Sequence, residues 1–161
     1  MPVIAPAQVS ELLVSGPHLV ELLRDILARG RGVKFRARGY SMSPFIKDGD
    51  ILTVSPLRAR RPGFGDVLVF THPQTGMLVV HRVVGVRSGS CLARGDSNWE
   101  VDGWVPDKNI LGRVIAIERN GRPKTLGLGP ERFLLALLTR TGVFRYVVQP
   151  AWWVIRTLGR R

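Results

Sequence analysis

A mainly β domain with a helical segment at each end is the fold class this sequence predicts. Three observations predict it. Short apolar runs separated by Gly, Pro and Asp turns fill the middle of the chain. Leucines at helical spacing precede them, and a leucine-rich, arginine-rich stretch follows. With 161 residues and 45% hydrophobic content, the chain can form one domain with short appendages. The expected division is a helical segment over 1–32, a β domain over 33–120 and a basic, apolar helical tail over 121–161.

Leu19, Leu22, Leu23, Ile26 and Leu27 recur at helical spacing, with Pro17 in the first turn and Gly30 as the stop. Glu21, Arg24, Asp25 and Arg29 occupy the opposite face, so this helix is amphipathic. VKFRAR, Val33 to Arg38, alternates apolar and basic residues as a half-buried strand does. Ile51 to Val54, Val67 to Thr71, Met77 to Val86, Ser90 to Ala93 and Leu111 to Glu118 are the further strands expected. Three turns end in Gly-Asp, at Gly49-Asp50, Gly65-Asp66 and Gly95-Asp96; turn chemistry alone accounts for the first two. After Asn120-Gly121-Arg122-Pro123 comes ERFLLALLTRTGVFRYVVQPAWWVIRTLGRR, apolar and basic at once. Its arginines interrupt any spanning run and Pro150 divides it. It therefore reads either as helices lying in a membrane interface, with Trp152 and Trp153 at headgroup depth, or as a helical pair packed on the β core.

Lys+Arg 24 against Asp+Glu 12 leaves a net charge of +12, which favours anionic partners, either nucleic acid or a membrane surface. Cys91 is the only cysteine, which excludes an intrachain disulfide and a cysteine cluster for a metal; His18, His72 and His81 are scattered, which argues against zinc. No cofactor is implied. The N-terminus lacks the basic start and apolar core of a signal peptide, and no run reaches the ~18 to 20 apolar residues of a spanning helix. The expected location is cytoplasmic or peripheral to a membrane.

The stretch GYSMSPFIKDGD, Gly39 to Asp50, displays a hydroxyl at the end of the VKFRAR strand. A serine becomes a nucleophile only beside a base and with donors for the oxyanion. His81 and Arg82 interrupt the otherwise apolar MLVVHRVVGV, where two polar residues need partners. A histidine there can be a satisfied core residue or that base.

Taken together, Ser41-Met42-x-Pro44, Gly49-Asp50, Gly65-Asp66-Val67, His81-Arg82-Val83-Val84-Gly85, Gly95-Asp96-Ser97-Asn98, Val105-Pro106 and Ile110-Leu111-Gly112-Arg113 resemble the signal peptidase family over about Val33 to Arg119. The resemblance implies a coiled β-sheet or β-barrel catalytic domain. It makes Ser41, before Met42, the nucleophile and His81, before Arg82, the base. Histidine at this position marks the branch that includes the microsomal, archaeal and sporulation-type enzymes; the common bacterial type has lysine. A free imidazole titrates near ~6.5 and needs no strong desolvation to act as a base. In the histidine branch the triad aspartate follows the Gly-Asp turn by six residues, which points to Asp102, with Asp96 bracing the turn. Asp102-Gly103 can equally be an ordinary turn.

Two departures qualify the resemblance. Relatives often carry a serine two positions before the nucleophile that helps the oxyanion hole; here it is Gly39, which leaves backbone donors such as the Ser41 amide. Tyr40 then serves as a wall of the cleft. Relatives also have a spanning helix before the serine strand, where this chain has the charged Pro17 to Arg29 helix. A serine endopeptidase acting on a leader or signal-type peptide or preprotein is therefore expected, with an anionic membrane met through the C-terminal tail. Two other readings share the fold: a self-cleaving repressor-type peptidase and a catalytically silent peptide-binding scaffold. Fewer than forty residues precede the serine loop, with one clear helix, and the repressors use lysine as base, which argues against a helix-turn-helix repressor; the densest basic-aromatic stretch is the leucine-rich tail, which suits lipid better than nucleic acid.

Overall fold

The fold is described from a computed structural model covering residues 16–57, 60–143 and 146. In chain order the elements are α1 (Pro17–Ala28), β1 (Val33–Arg36), β2 (Ile51–Ser55), β3 (Val67–Thr71), β4 (Leu78–Arg87), β5 (Ser90–Arg94) and β6 (Gly103–Pro106). A short 3-10 turn (Asp107–Asn109), β7 (Ile110–Arg119), β8 (Arg122–Lys124) and α2 (Arg132–Thr141) follow. The chain is mainly β, as expected. The eight strands form one antiparallel sheet in the order β1-β2-β7-β3-β4-β5-β6, with β8 on β7. The sheet is open, with β1 and β6 at its two ends, and is not a closed barrel. Two strands escaped the sequence reading. β6, GWVP, is too short and turn-like to show a period. β8, RPK, has no buried residue and opens the segment expected to be helical.

β3 explains how the core is divided. VLVFT is buried at every position. Val67 and Val69 face a cluster formed with Leu23 and Leu27 of α1, Leu52 and Val54 of β2, and Val114 and Ile117 of β7. Leu68 and Phe70 face a second cluster with Val83, Cys91, Ala93 and Val105. A strand covered on both faces reads as a continuous apolar run, and alternation is lost. Cys91 lies in this second cluster, where burial, aided by Asp107 and Asp66, pushes its thiol up to about 11. At neutral pH it is not a nucleophile.

α1 starts at Pro17 and stops before Gly30, whose φ of 75° only glycine adopts readily. α2 buries Leu135, Ala136 and Thr139 against the β domain. Among the described residues no helix is long and apolar enough to cross a membrane. The interfacial placement expected for Trp152, Trp153 and the rest of 147–161 lies outside the described residues.

The Gly-Asp turns are more than turns. Asp50, 2% exposed, accepts from Arg119 Nε and Nη2 at 2.8 and 2.7 Å and from the Lys47 amide at 2.8 Å. Asp66 accepts from Arg60 Nη2 at 2.7 and 2.8 Å and from the Gly63 amide at 2.9 Å. Turn geometry was sufficient to predict the glycines, but the burial of each aspartate requires a cation from elsewhere in the fold.

Truncating the Phe70 ring to alanine is expected to cost about 3–5 kcal/mol in urea unfolding, and Val86→Ala, at a half-exposed position, less than about 0.5 kcal/mol. Acid unfolding supplies a second check. Burial raises the Asp50 carboxyl, but the Arg119 and Lys47 hydrogen bonds outweigh it and hold it below its ordinary value. Its contribution is therefore complete above about pH 4 and is lost as pH falls through the lower folded value. Asp50→Asn should flatten the stability profile below about pH 4.

Candidate active site

The turn after β1 carries Ser41, β4 carries His81, and the residue just before β6 is Asp102. The sheet brings these distant positions together. His81 Nε2 lies 2.9 Å from Ser41 Oγ, and His81 Nδ1 lies 2.5 Å from Asp102 Oδ2. His81 is 6% exposed, and the Phe70 ring meets it edge-on at 6.3 Å between centroids. With Asp102 accepting from Nδ1–H, Nε2 carries the lone pair and faces the serine hydroxyl. Asp102 is itself anchored by donation of its backbone N–H to the Ala93 carbonyl at 2.9 Å.

The serine loop is fixed from three sides. Met42 is 3% exposed and sits in the first core cluster, with its carbonyl accepting from the Phe45 and Ile46 amides. Arg119 Nη2 donates to the Phe45 carbonyl at 3.0 Å, which ties the loop to the end of β7. The Ser97 amide donates to the Ser41 carbonyl at 2.9 Å, and Ser97 Oγ donates to the Tyr40 carbonyl at 2.7 Å. A Cβ on Gly95 would stand 2.7 Å from the Ser41 carbonyl oxygen, so this close approach requires glycine. None of these bonds uses the Ser41 amide. The Tyr40 side chain is 71% exposed.

Gly39 has φ 91° and donates its amide to Asp48 Oδ1 at 2.9 Å. A serine would be strained in this conformation, so the absence of a hydroxyl at position 39 is a backbone requirement. The expected supporting residues Asp96 and Arg82 form a separate unit beside the triad. Arg82 is fully buried; its Nε and Nη2 donate to the two Asp96 oxygens at 2.8 Å, and Nη1 donates to the Gly65 and Gly127 carbonyls. Asp96 thus pairs with Arg82 and Asp102 with His81.

Three residues that brace this unit and the loops around it went unnoticed in the sequence. Thr139 of α2, 2% exposed, donates Oγ1 to Asp96 Oδ1 at 3.1 Å. Its position on the apolar face of LLALLTRT was the available signal, since a buried hydroxyl needs a partner. Arg94 Nε and Nη2 donate to the Asn98 and Trp99 carbonyls at 3.0 and 2.7 Å, holding the loop that leads to Asp102. Glu131, before α2, accepts from the Gly127 and Gly129 amides at 2.7 and 3.0 Å. Those backbone bonds hold its carboxyl below the ordinary range. They also shape the turn whose Gly127 carbonyl receives Arg82.

Among the described residues no group of His, Cys, Asp and Glu is arranged to hold a metal ion. Asp96→Ala would leave Arg82 charged, buried and unpaired, and should cost about 3–5 kcal/mol in urea unfolding. Thr139→Val removes one hydrogen bond and should cost about 1–2 kcal/mol, with Thr139→Ser recovering most of it. Against this geometry, protein-family models and curated proteins offer no match to the chain.

Proposed function

We propose that this chain is a serine endopeptidase with a signal-peptidase-like fold, acting through Ser41, His81 and Asp102. One observation carries the proposal: the continuous line Ser41 Oγ, His81 Nε2, His81 Nδ1, Asp102 Oδ2, with contacts of 2.9 and 2.5 Å. Ser41 Oγ attacks the peptide carbonyl carbon while His81 Nε2 takes its proton. Asp102 holds the ring in the required tautomer and stabilises the imidazolium. The imidazolium then protonates the leaving amine, and water, activated by the same nitrogen, hydrolyses the acyl-enzyme. The Ser41 amide is the available oxyanion donor.

The substrate in this reading is an extended leader or signal-type peptide. β4 supports that reading: Leu78 to His81 pair with β3 on one edge, whereas β5 pairs only from Arg82 onwards. The other edge beside His81 has no strand partner among the described residues, so a peptide can add there as a strand. An anionic membrane surface is the proposed meeting place, through the net charge of +12 and the basic tail.

Incubating the protein with a peptide library in detergent micelles, and reading new termini by mass spectrometry, tests the proposal. Ser41→Ala and His81→Ala should each lower turnover by about 10³-fold or more, and Asp102→Asn by about 10²–10⁴-fold. Cleavage that persists in Ser41→Ala would overturn the assignment. Gly39→Ser should raise neither the rate nor the stability, because the φ of 91° strains any L side chain.

A further inference from the structure

We propose that the cleft between β3, β7 and the start of α2 binds the phosphate group of a phosphate ester. The cleft encloses about 330 Å³ and contains none of the three residues assigned to peptide cleavage. Arg60, Arg113 and Arg132 converge there on a single carboxylate, Asp66. Asp66 is 2% exposed, and its oxygens are already served by Arg60 and the Gly63 amide. Arg60 cancels its charge, which leaves two guanidinium groups in excess.

Those two groups are poorly used by the protein itself. Among the described residues Arg113 makes one side-chain hydrogen bond, Nη1 to Asp66 Oδ2 at 3.4 Å, and Arg132 makes one, Nη1 to the Leu128 carbonyl at 3.4 Å. Both distances are at the long limit, although each guanidinium carries five donors. Arg132 Nε is buried without a hydrogen-bond partner, 3.9 Å from the nearest Asp66 oxygen. Burying a cationic donor unsatisfied is costly unless an acceptor arrives. A tetrahedral oxyanion suits two forked guanidinium groups, each able to bind a pair of oxygens.

The cleft is built to keep this arrangement. A Cβ on Gly65 would stand 3.0 Å from the Arg132 backbone carbonyl oxygen and from its Cγ, and Gly65 itself has φ 91°, so only glycine lets α2 begin so close to β3. The Arg132 guanidinium lies 4.8 Å over the Phe133 ring, which keeps the fork aligned. Val67, Val114, Ile115 and Leu128 supply apolar walls, with Ile115 about half exposed. A phosphate ester matches this division, with its charged group on the arginines and its organic group on the apolar rim. A phospholipid headgroup and a soluble phosphate ester present the same chemistry.

Calorimetric titration of the full chain with inorganic phosphate and with glycerol 3-phosphate, beside flotation with phosphatidylcholine vesicles with or without phosphatidic acid, tests the proposal. Saturable binding should weaken by about tenfold in Arg113→Gln and in Arg132→Gln, and remain unchanged in Arg31→Gln, an exposed control of equal charge loss. Arg113→Lys keeps the charge but loses the fork, and should fall between wild type and Arg113→Gln. Unfolding curves for each variant separate lost binding from lost folding; should Arg132→Gln not fold, the Arg113 pair decides. Arg113-dependent binding of the soluble anions identifies a soluble ester as a sufficient ligand. Arg113-dependent flotation without soluble binding identifies the lipid headgroup. If neither the anions nor the vesicles bind in an Arg113-dependent way, or if Arg31→Gln weakens binding equally, the proposal is overturned.

Discussion

The buried pair between Arg82 and Asp96 is the constraint on which the site depends. Arg82 sits beside His81 in β4 with no exposure to solvent, so its charge must be answered inside the protein. Asp96 answers it from the β5–β6 turn, and in doing so sets the height of Gly95 and Ser97 against the Ser41 backbone. Thr139 binds the same carboxylate and docks α2, while Gly65 and Gly127 place two further loops on the remaining guanidinium donor. A hydrophobic pair of similar volume could be as stable, but it would impose no direction on these four segments. The ionic pair contributes geometry more than net free energy.

The same device recurs. Each Gly-Asp turn buries its aspartate against an arginine, close in sequence or far from it: Asp66 on Arg60, Asp96 on Arg82 and Asp50 on Arg119. The glycine permits the tight turn and the aspartate, once buried, demands a cation. Three arginines are therefore committed to buried carboxylates, where they fix the loops that an open antiparallel sheet leaves at its strand ends. The arginines beside Asp66 exceed what that single carboxylate needs, and there the structural use of charge stops accounting for the residues present.

The line from Ser41 through His81 to Asp102 is assembled on rigid elements. His81 belongs to β4, which is paired to the wholly buried β3, and its ring rests on Phe70 of that strand. Ser41 and Asp102 come from loops, yet each loop is tied by backbone hydrogen bonds to β5 or to the turn following it. A histidine on a central strand with partners on clamped loops is held in fixed hydrogen-bond geometry.

Periodicity and turn chemistry determined much of this protein in advance. The leucine spacing of α1, the apolar runs of β2, β3, β4, β5 and β7, and the glycine positions follow from local rules that need no knowledge of neighbours. Ser41 and His81 stood out because a serine loop and a polar break in an apolar strand are visible in one dimension, whereas the choice of Asp102 rested on the resemblance to the signal peptidase family. The resemblance pointed to Asp102 as the partner of His81 and to Asp96 as the brace of its turn; the fold pairs Asp102 with His81 and also gives Asp96 a partner that the sequence did not name, Arg82. Tertiary structure alone decided that the sheet stays open, that GWVP pairs as a strand, that Gly39 is demanded by a φ of 91°, and that Thr139 reaches the site from α2. Each of these depends on contacts between residues far apart in the chain, and local propensity carries no record of them.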